Sequence, residues 1–328
     1  MAGIIKDIYI KAGSCLSIAL LHLSIWFLNT IGYRNTLRLS EKAGDMLYFV
    51  FRRTRAKVLH NLAFAYGDGL SAGERKRIAR SALRNLLKNW FEVFFYAGPN
   101  KSIVDNTITI TGLENLDRAL SRGKGVIAVS AHMGDYPIMT QQFTRRGYTC
   151  SIVIRDPKNP FASATYTEGR RMIGLTSIFT KPERQFYKNA LGVVRNNGIL
   201  CLISDENKRH GGIFVDFFGH TASTAPGPAA LALRTGAPLV PMFMIRNADD
   251  SQTIVIEKEM ERQETGDQQQ DMLQLTEQFT GRIEDRIRKD PAQWVWTNWR
   301  WRTQPGGQLK EAKIKKKRPI KKIKKLFR

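Results

Sequence analysis

The sequence predicts an α/β fold: a largely parallel central sheet flanked by helices, with an amino-terminal helical membrane-anchoring segment and a basic tail. Three observations carry this. Short apolar runs recur at 126–129, 151–154, 199–203, 239–244 and 253–256. Helix-like stretches stand between several of them, at 137–146, 183–196 and 227–235. A strongly apolar stretch lies near the amino end, and a run of lysines and arginines lies at the other. The 328 residues suffice for one large domain or two small ones, and a hydrophobic content of 42% excludes a disordered chain. No internal repeat is visible.

Residues 15–31 read CLSIALLHLSIWFLNTI, interrupted by Ser17, His22, Ser24 and Asn29. A spanning helix needs about 20 mostly apolar residues, so the segment is marginal. Lys6 and Lys11 precede it and Arg34 and Arg38 follow, which gives no orientation signal. No small-residue cleavage site follows, so it is a poor signal peptide. The reading preferred is a shallow or re-entrant anchor within residues 1–40; a buried amphipathic helix packed on the domain is the alternative.

Residues 41–305 form the main domain in this reading. Its first part, 41–97, is helical in pattern. Ser71 and Glu74 have capping-box spacing and open a helix from Ala72 to about Tyr96. On it Ile78, Leu83, Leu86, Leu87, Trp90, Phe91, Phe94 and Phe95 fall on one broad face. Cys15, Cys150 and Cys201 are odd in number and widely spaced, which argues against a disulfide framework or zinc site and fits a reducing, cytosol-facing setting.

The formal net charge of +23 points to an anionic partner. Residues 310–328, within a tail spanning 306–328, hold eleven Lys/Arg and one acid, a net +10. Nucleic acid or an anionic leaflet would suit such a tail equally. The apolar amino end favours the membrane surface, and no helix-turn-helix, zinc-finger or aromatic RNA-binding signature supports nucleic acid.

The segment with the most chemical content is GVIAVSAHMGDYP, residues 125–137. His132 stands just past an apolar run, with a helix-like segment after it. Folds of this class place their chemistry at carboxyl strand ends, and a neutral imidazole there can take a proton from a hydroxyl near pH 7. A structural histidine in a turn is the plain alternative. Three further segments carry polar groups beside apolar runs. Arg155 leaves a strand end in a loop fixed by Pro157 and Pro160, with Asn159 between them. Asp205 and Glu206 stand at another strand end. Thr224 and Gly227 precede an alanine-rich helix start whose N–H groups could meet an anion.

In order and spacing the chain resembles the bacterial lauroyl/myristoyl acyltransferases of lipid A biosynthesis, within the lysophospholipid acyltransferase superfamily. The resemblance runs from about Arg53 to Pro305. It rests on RAKVLHNLAFAY (55–66), AHMGDYP (131–137), VIRDPKNP (153–160), DEN (205–207), GIFVDFFG (212–219), ASTAPGPAALALRTGAPLVP (222–241) and QWVWTNWRWRTQP (293–305), the last two being specific to that family. One departure stands out. The family pairs its histidine with an acid five positions on, which is Pro137 here. Asp135 could substitute if the chain turns helically at His132. Asp205 and Glu206 are the other substitutes.

The resemblance implies an O-acyltransferase at the cytoplasmic face of the bacterial inner membrane. The donor would be an acyl thioester of acyl carrier protein or coenzyme A. The acceptor would be a hydroxyl of a lipid A precursor or related glycolipid or phospholipid. His132 would be the base, with Asp135 or Asp205 as its acid. Arg155, Asn159, Glu206, Thr224 and Gly227 would bind substrate, and Arg155 could meet the oxyanion or a substrate phosphate. No metal, cofactor or covalent acyl-enzyme is required. A non-catalytic lipid-binding relative that lost its second acid is the alternative.

Overall fold

The computed structural model describes residues 2–262 and 265–308. Five helices come first: α1 (Ala2–Ile31), α2 (Tyr33–Val50), α3 (Arg52–Tyr66), α4 (Ala72–Tyr96) and α5 (Lys101–Asp105). The sheet domain follows with β1 (Ile108–Thr111), α6 (Leu113–Leu120), β2 (Val126–Ser130), α7 (Tyr136–Arg145), β3 (Cys150–Ile154), α8 (Pro160–Ile173), β4 (Ser177–Phe179), α9 (Glu183–Arg195) and β5 (Ile199–Ile203). A hairpin of β6 (Ile213–Phe217) and β7 (His220–Thr224) leads to α10 (Gly227–Thr235), β8 (Leu239–Arg246), β9 (Gln252–Ile256) and α11 (Gln268–Lys289). Two short strands, β10 (Thr303–Gln304) and β11 (Gly307–Gln308), close the described chain.

The central sheet has the order β1-β9-β8-β2-β5-β3-β4. Only the β8–β9 pairing is antiparallel, so the expected largely parallel sheet is present. Its strands alternate between two cores. Ile127, Val129, Leu200, Leu202, Leu239 and Phe243 pack on one face with residues of α10 and α11. Val126, Ala128, Ile199, Cys201, Val240 and Met242 pack on the other with residues of α6 and α7. Burial on both faces explains why these strands read as unbroken apolar runs.

The helical region at 41–97 holds most of α2, then α3 and α4, with breaks at Phe51 and across residues 67–71. The Ser71–Glu74 capping box is formed, with both reciprocal hydrogen bonds; such a cap contributes on the order of 1 kcal/mol. α2 lies antiparallel to α4, with Glu41 bonded to Lys88 at 2.7 Å and Asp45 to Arg84. The approach is close at Gly44, where an added Cβ would sit 2.5 Å from Arg84 Cα.

α1 packs along α8 by one face. The Tyr9 and Phe161 rings meet edge-on, and a Cβ on Gly13 would overlap the Phe161 ring. Ser17 Oγ donates to the Phe161 carbonyl at 3.3 Å, and His22 lies 3.1 Å from Glu168. The other face exposes Leu16, Leu20, Leu23, Trp26 and Phe27. Tyr9–Ile31 is long and apolar enough to cross a membrane. The basic tail at 310–328 lies outside the described residues.

Candidate active site

His132 and Asp205 meet because of strand register. Ser130 of β2 pairs with Ile203 of β5, and each functional residue lies two positions beyond its strand end. The Ser204 N–H donates to the Ser130 carbonyl at 2.9 Å and extends the ladder by one step. The next side chains then face each other. His132 Nδ1 donates to Asp205 Oδ1 at 2.7 Å, and the His132 backbone N–H donates to Oδ2 at 2.9 Å. A third donor comes from far along the chain: Trp294 Nε1–H reaches Oδ2 at 2.6 Å. The Asp205 side chain is 1% exposed and that of His132 is 23% exposed, so the carboxylate is sealed and the imidazole is not.

The electrostatics follow from this geometry. Burial alone would lower the His132 pKa. The Asp205 charge and hydrogen bond, helped by the Glu206 charge, outweigh it and raise the value to about 8. Burial alone would raise the Asp205 pKa, but the His132 charge, its hydrogen bonds and that of Trp294 hold it below the usual carboxylate value. With Nδ1 committed to Asp205, the other ring nitrogen, Nε2, faces the opening. Its nearest acid is Glu206, with Oε1 4.0 Å away. The Tyr136 ring stands edge-on to the imidazole at 5.4 Å.

Asp135 is not part of this contact. It is fully buried and caps α7, accepting from Ile138 N at 3.4 Å, and its Oδ2 has no hydrogen-bond partner among the described residues. Pro137 occupies the first turn of α7. The helix therefore begins after Asp135, so the shared face that would pair it with His132 does not form. Burial and the nearby Glu92 charge push the Asp135 pKa well above the ordinary value, against the Arg246 charge and the Ile138 N–H. The neutral acid is favoured, and asparagine is its near-isostere. Asp135→Asn is thus expected to leave turnover within about threefold, because asparagine caps helices as well as aspartate. A loss of about a hundredfold in a steady-state assay would return Asp135 to the reaction.

The other sequence candidates divide. Glu206 is at the opening, its carboxylate held by Asn298 Nδ2 at 3.1 Å. Arg155 is exposed and has no ion pair among the described residues. Asn159 caps α8 with its side-chain oxygen, accepting from Phe161 N and Ala162 N. That oxygen is occupied by a structural task. Thr224 is buried and its Oγ1 accepts from Arg300 Nη2 at 2.5 Å. Gly227 is the first residue of α10, in open space.

Sequence reasoning missed the supporting residues. Trp294 fixes Asp205, and the Val295 N–H donates to the His132 carbonyl at 3.1 Å, so the 294–295 backbone runs alongside His132. Arg300 is buried; Nη1 donates to the Ser223 carbonyl at 2.8 Å and its guanidinium lies over Phe217. Burial pushes its pKa down to about 10 despite the Asp205 charge. Asn61 holds the same segment by donating to the Trp296 and Asn298 carbonyls, each at 2.7 Å. Asn89 of α4 donates to the Gly134 carbonyl at 2.8 Å and accepts from Arg246 Nη2 at 3.0 Å. Arg246 in turn pairs with buried Glu92 at 2.5 Å; breaking such a pair costs about 3–5 kcal/mol. The loop is also fixed by Gly134, whose φ is +58° and whose added Cβ would lie 1.9 Å from the Met244 carbonyl oxygen. The signal available for Trp294, Asn298 and Arg300 was the unusual tryptophan density of 293–305, which carries no role by itself. Among the described residues no group of three His, Cys, Asp or Glu is placed to hold a metal ion.

Comparison with known proteins adds a family. The family model of the bacterial lipid A biosynthesis acyltransferases matches residues 11–303. A phosphatidylinositol mannoside acyltransferase of Mycobacterium tuberculosis is 28% identical over 164 residues, 49% of this chain and 52% of that protein. The chain thus matches only about half the length of that relative. The lipid A biosynthesis palmitoleoyltransferase of Escherichia coli is 24% identical over 291 residues, 87% of this chain and 90% of that one. The lauroyltransferase of the same organism is 24% identical over 292 residues, 86% and 90%.

Proposed function

The chain belongs to the bacterial lipid A biosynthesis acyltransferase family, and from that premise we propose that it is an O-acyltransferase. It moves a fatty acyl chain from a thioester, of acyl carrier protein or coenzyme A, to a hydroxyl of a lipid A precursor or related glycolipid or phospholipid. The work is done at the cytoplasmic face of the inner membrane, where the apolar outer stripe of α1 supplies attachment. The relatives named for lipid A and for phosphatidylinositol mannoside share acyl transfer to a glycolipid, which supports that acceptor class.

The observation that carries the reading is the His132–Asp205 pair with Nε2 turned to the opening beside Glu206. In the proposed reaction Nε2 takes the acceptor hydroxyl proton as its oxygen attacks the thioester carbonyl. Asp205 holds the ring in the Nδ1–H form and stabilises the imidazolium. The tetrahedral intermediate then expels the thiolate, the C–S bond breaks, and the imidazolium returns its proton to sulfur. Exposed Arg155 is available for the oxyanion or an acceptor phosphate. The contact of Asp205 with the imidazole supports an active enzyme over a binding-only relative despite the acid missing at Pro137.

Mass spectrometry of lipids from cells with and without the protein tests the function. A gain of one acyl group on a glycolipid or phospholipid is expected, and identical profiles would sink it. The pH dependence tests the base. His132 must be neutral to accept a proton and its pKa is raised to about 8, so kcat/KM should climb with pH through that value and then level. A profile flat between pH 6 and 9, in roughly that window, would remove His132 as the titrating base.

A further inference from the structure

The outward face of α2 and its turn into α3 carry a combination that the acyl-transfer chemistry does not use. Thr36, Leu37, Ser40, Gly44 and Tyr48 are the buried residues of α2. The opposite face exposes Arg34, Arg38 and Lys42 in its first half, then Met46, Phe49 and Val50. With Phe51, the last three make a corner of four large apolar side chains, 52–65% exposed. Single exposed apolar residues are ordinary; a contiguous group of four is not.

Beside that corner lies a cleft of about 370 Å³ lined by Tyr48, Phe49, Lys76, Arg77, Arg80, Ser81 and Arg84. Its cations exceed its acids. Arg80 and Arg84 both bond the single carboxylate of Asp45, at 2.6–2.7 Å. Lys76 makes no ion pair among the described residues, and the Glu74 carboxylate near Arg77 is committed to its capping box. Arg52 and Arg53 are exposed at the start of α3. Guanidinium and ammonium groups in surplus match phosphate oxygens, and an apolar rim matches the acyl chains attached to them. The cleft is separate from the His132 site: Arg80 precedes Asn89, the α4 residue bonded to the catalytic loop, by nine positions, about 14 Å along the helix.

We infer that this corner is a second membrane contact, in which the cleft seats the phosphate headgroup of an anionic lipid while Met46, Phe49, Val50 and Phe51 enter the leaflet. The inference rests on the proposed function only in placing the chain at a membrane. A lipid suits the corner better than an acidic protein because the apolar tip sits directly on the cationic cleft. The corner is a different surface from the exposed stripe of α1: α2, 18 residues or about 27 Å long, separates it from the end of α1. Attachment at both points would fix how the domain is oriented, which one contact alone does not.

The test uses the full chain carrying Cys15→Ser and Val50→Cys, labelled at position 50 with an environment-sensitive dye. The remaining cysteines, Cys150 and Cys201, are buried. On phosphatidylcholine vesicles containing phosphatidylglycerol the dye emission should shift to the blue, with quenching by lipids spin-labelled near the headgroup. Lys76→Ala/Arg77→Ala should reduce that quenching by about fivefold or more while the protein still co-floats through α1. A dye that stays in water on co-floating protein overturns the inference. Equal quenching on phosphatidylcholine alone overturns the anionic headgroup site. A blue shift produced by an acidic acyl carrier protein without vesicles assigns the corner to a protein partner instead. Turnover on a detergent-dispersed acceptor should match wild type in Lys76→Ala/Arg77→Ala. An inactive wild type whose dye inserts would sink the acyl-transfer reading and leave this one standing; an active wild type whose dye stays in water would do the reverse.

Discussion

Asp205→Asn is expected to lower kcat by about 10³- to 10⁴-fold, with KM for both substrates changed by no more than about threefold. The size of the loss follows from the three donors around the carboxylate. Oδ2 accepts both the His132 N–H and the Trp294 Nε1–H. An asparagine must place its oxygen there, since its amide nitrogen would face two donors. Its NH₂ group then points at His132 Nδ1, which must accept rather than donate. The remaining proton moves to Nε2, and the nitrogen that should act as base is blocked. Steady-state kinetics on purified protein checks this. A loss below about tenfold would mean that the tautomer does not control the rate.

His132→Gln should be at least as damaging, on the order of 10⁴-fold in kcat, because it removes the nitrogen that takes the acceptor proton in the proposed reaction. The fold should persist, since the ring is partly exposed and the backbone bonds of residue 132 survive the change. Adding Asp205→Asn to His132→Gln should cost little more, because the carboxylate acts through the imidazole and groups that work as a unit are not additive. Two losses that multiplied would show Asp205 acting on the substrate by a separate route. Wild-type turnover in His132→Gln would end the proposed mechanism.

The fold was readable because the strands at 126–130, 199–203 and 239–246 are buried on both faces and carry continuous apolar sequence. The short edge strands β1 and β4 were not, because four and three residues give no usable periodicity. α8 escaped because its apolar residues are few and only Ile173 is buried; it is held in part by α1, a partner distant in sequence. α11 carries a clear buried stripe of Leu275, Phe279, Ile283 and Ile287, yet its many polar residues concealed it. At the site, His132 could be found from its strand end alone. The carboxylate that meets it could not be chosen, because register between β2 and β5 decides that contact and register is not written in either strand separately. Local spacing offered Asp135; a proline in the first turn of α7 and a fully buried position keep it out of contact with the imidazole.

The bond from Trp294 to Asp205 also orders events in time. Chains emerge from the ribosome amino end first. A nascent chain that stops short of Trp294 already contains His132 and Asp205, but not the donor that fixes the carboxylate or the backbone that runs beside the base. The last-made part of the domain therefore completes the first-made part of the site. Synthesis must pass residue 295 before the His132–Asp205 contact has all its supports, so a prematurely terminated chain lacks the assembled site that the proposed reaction requires.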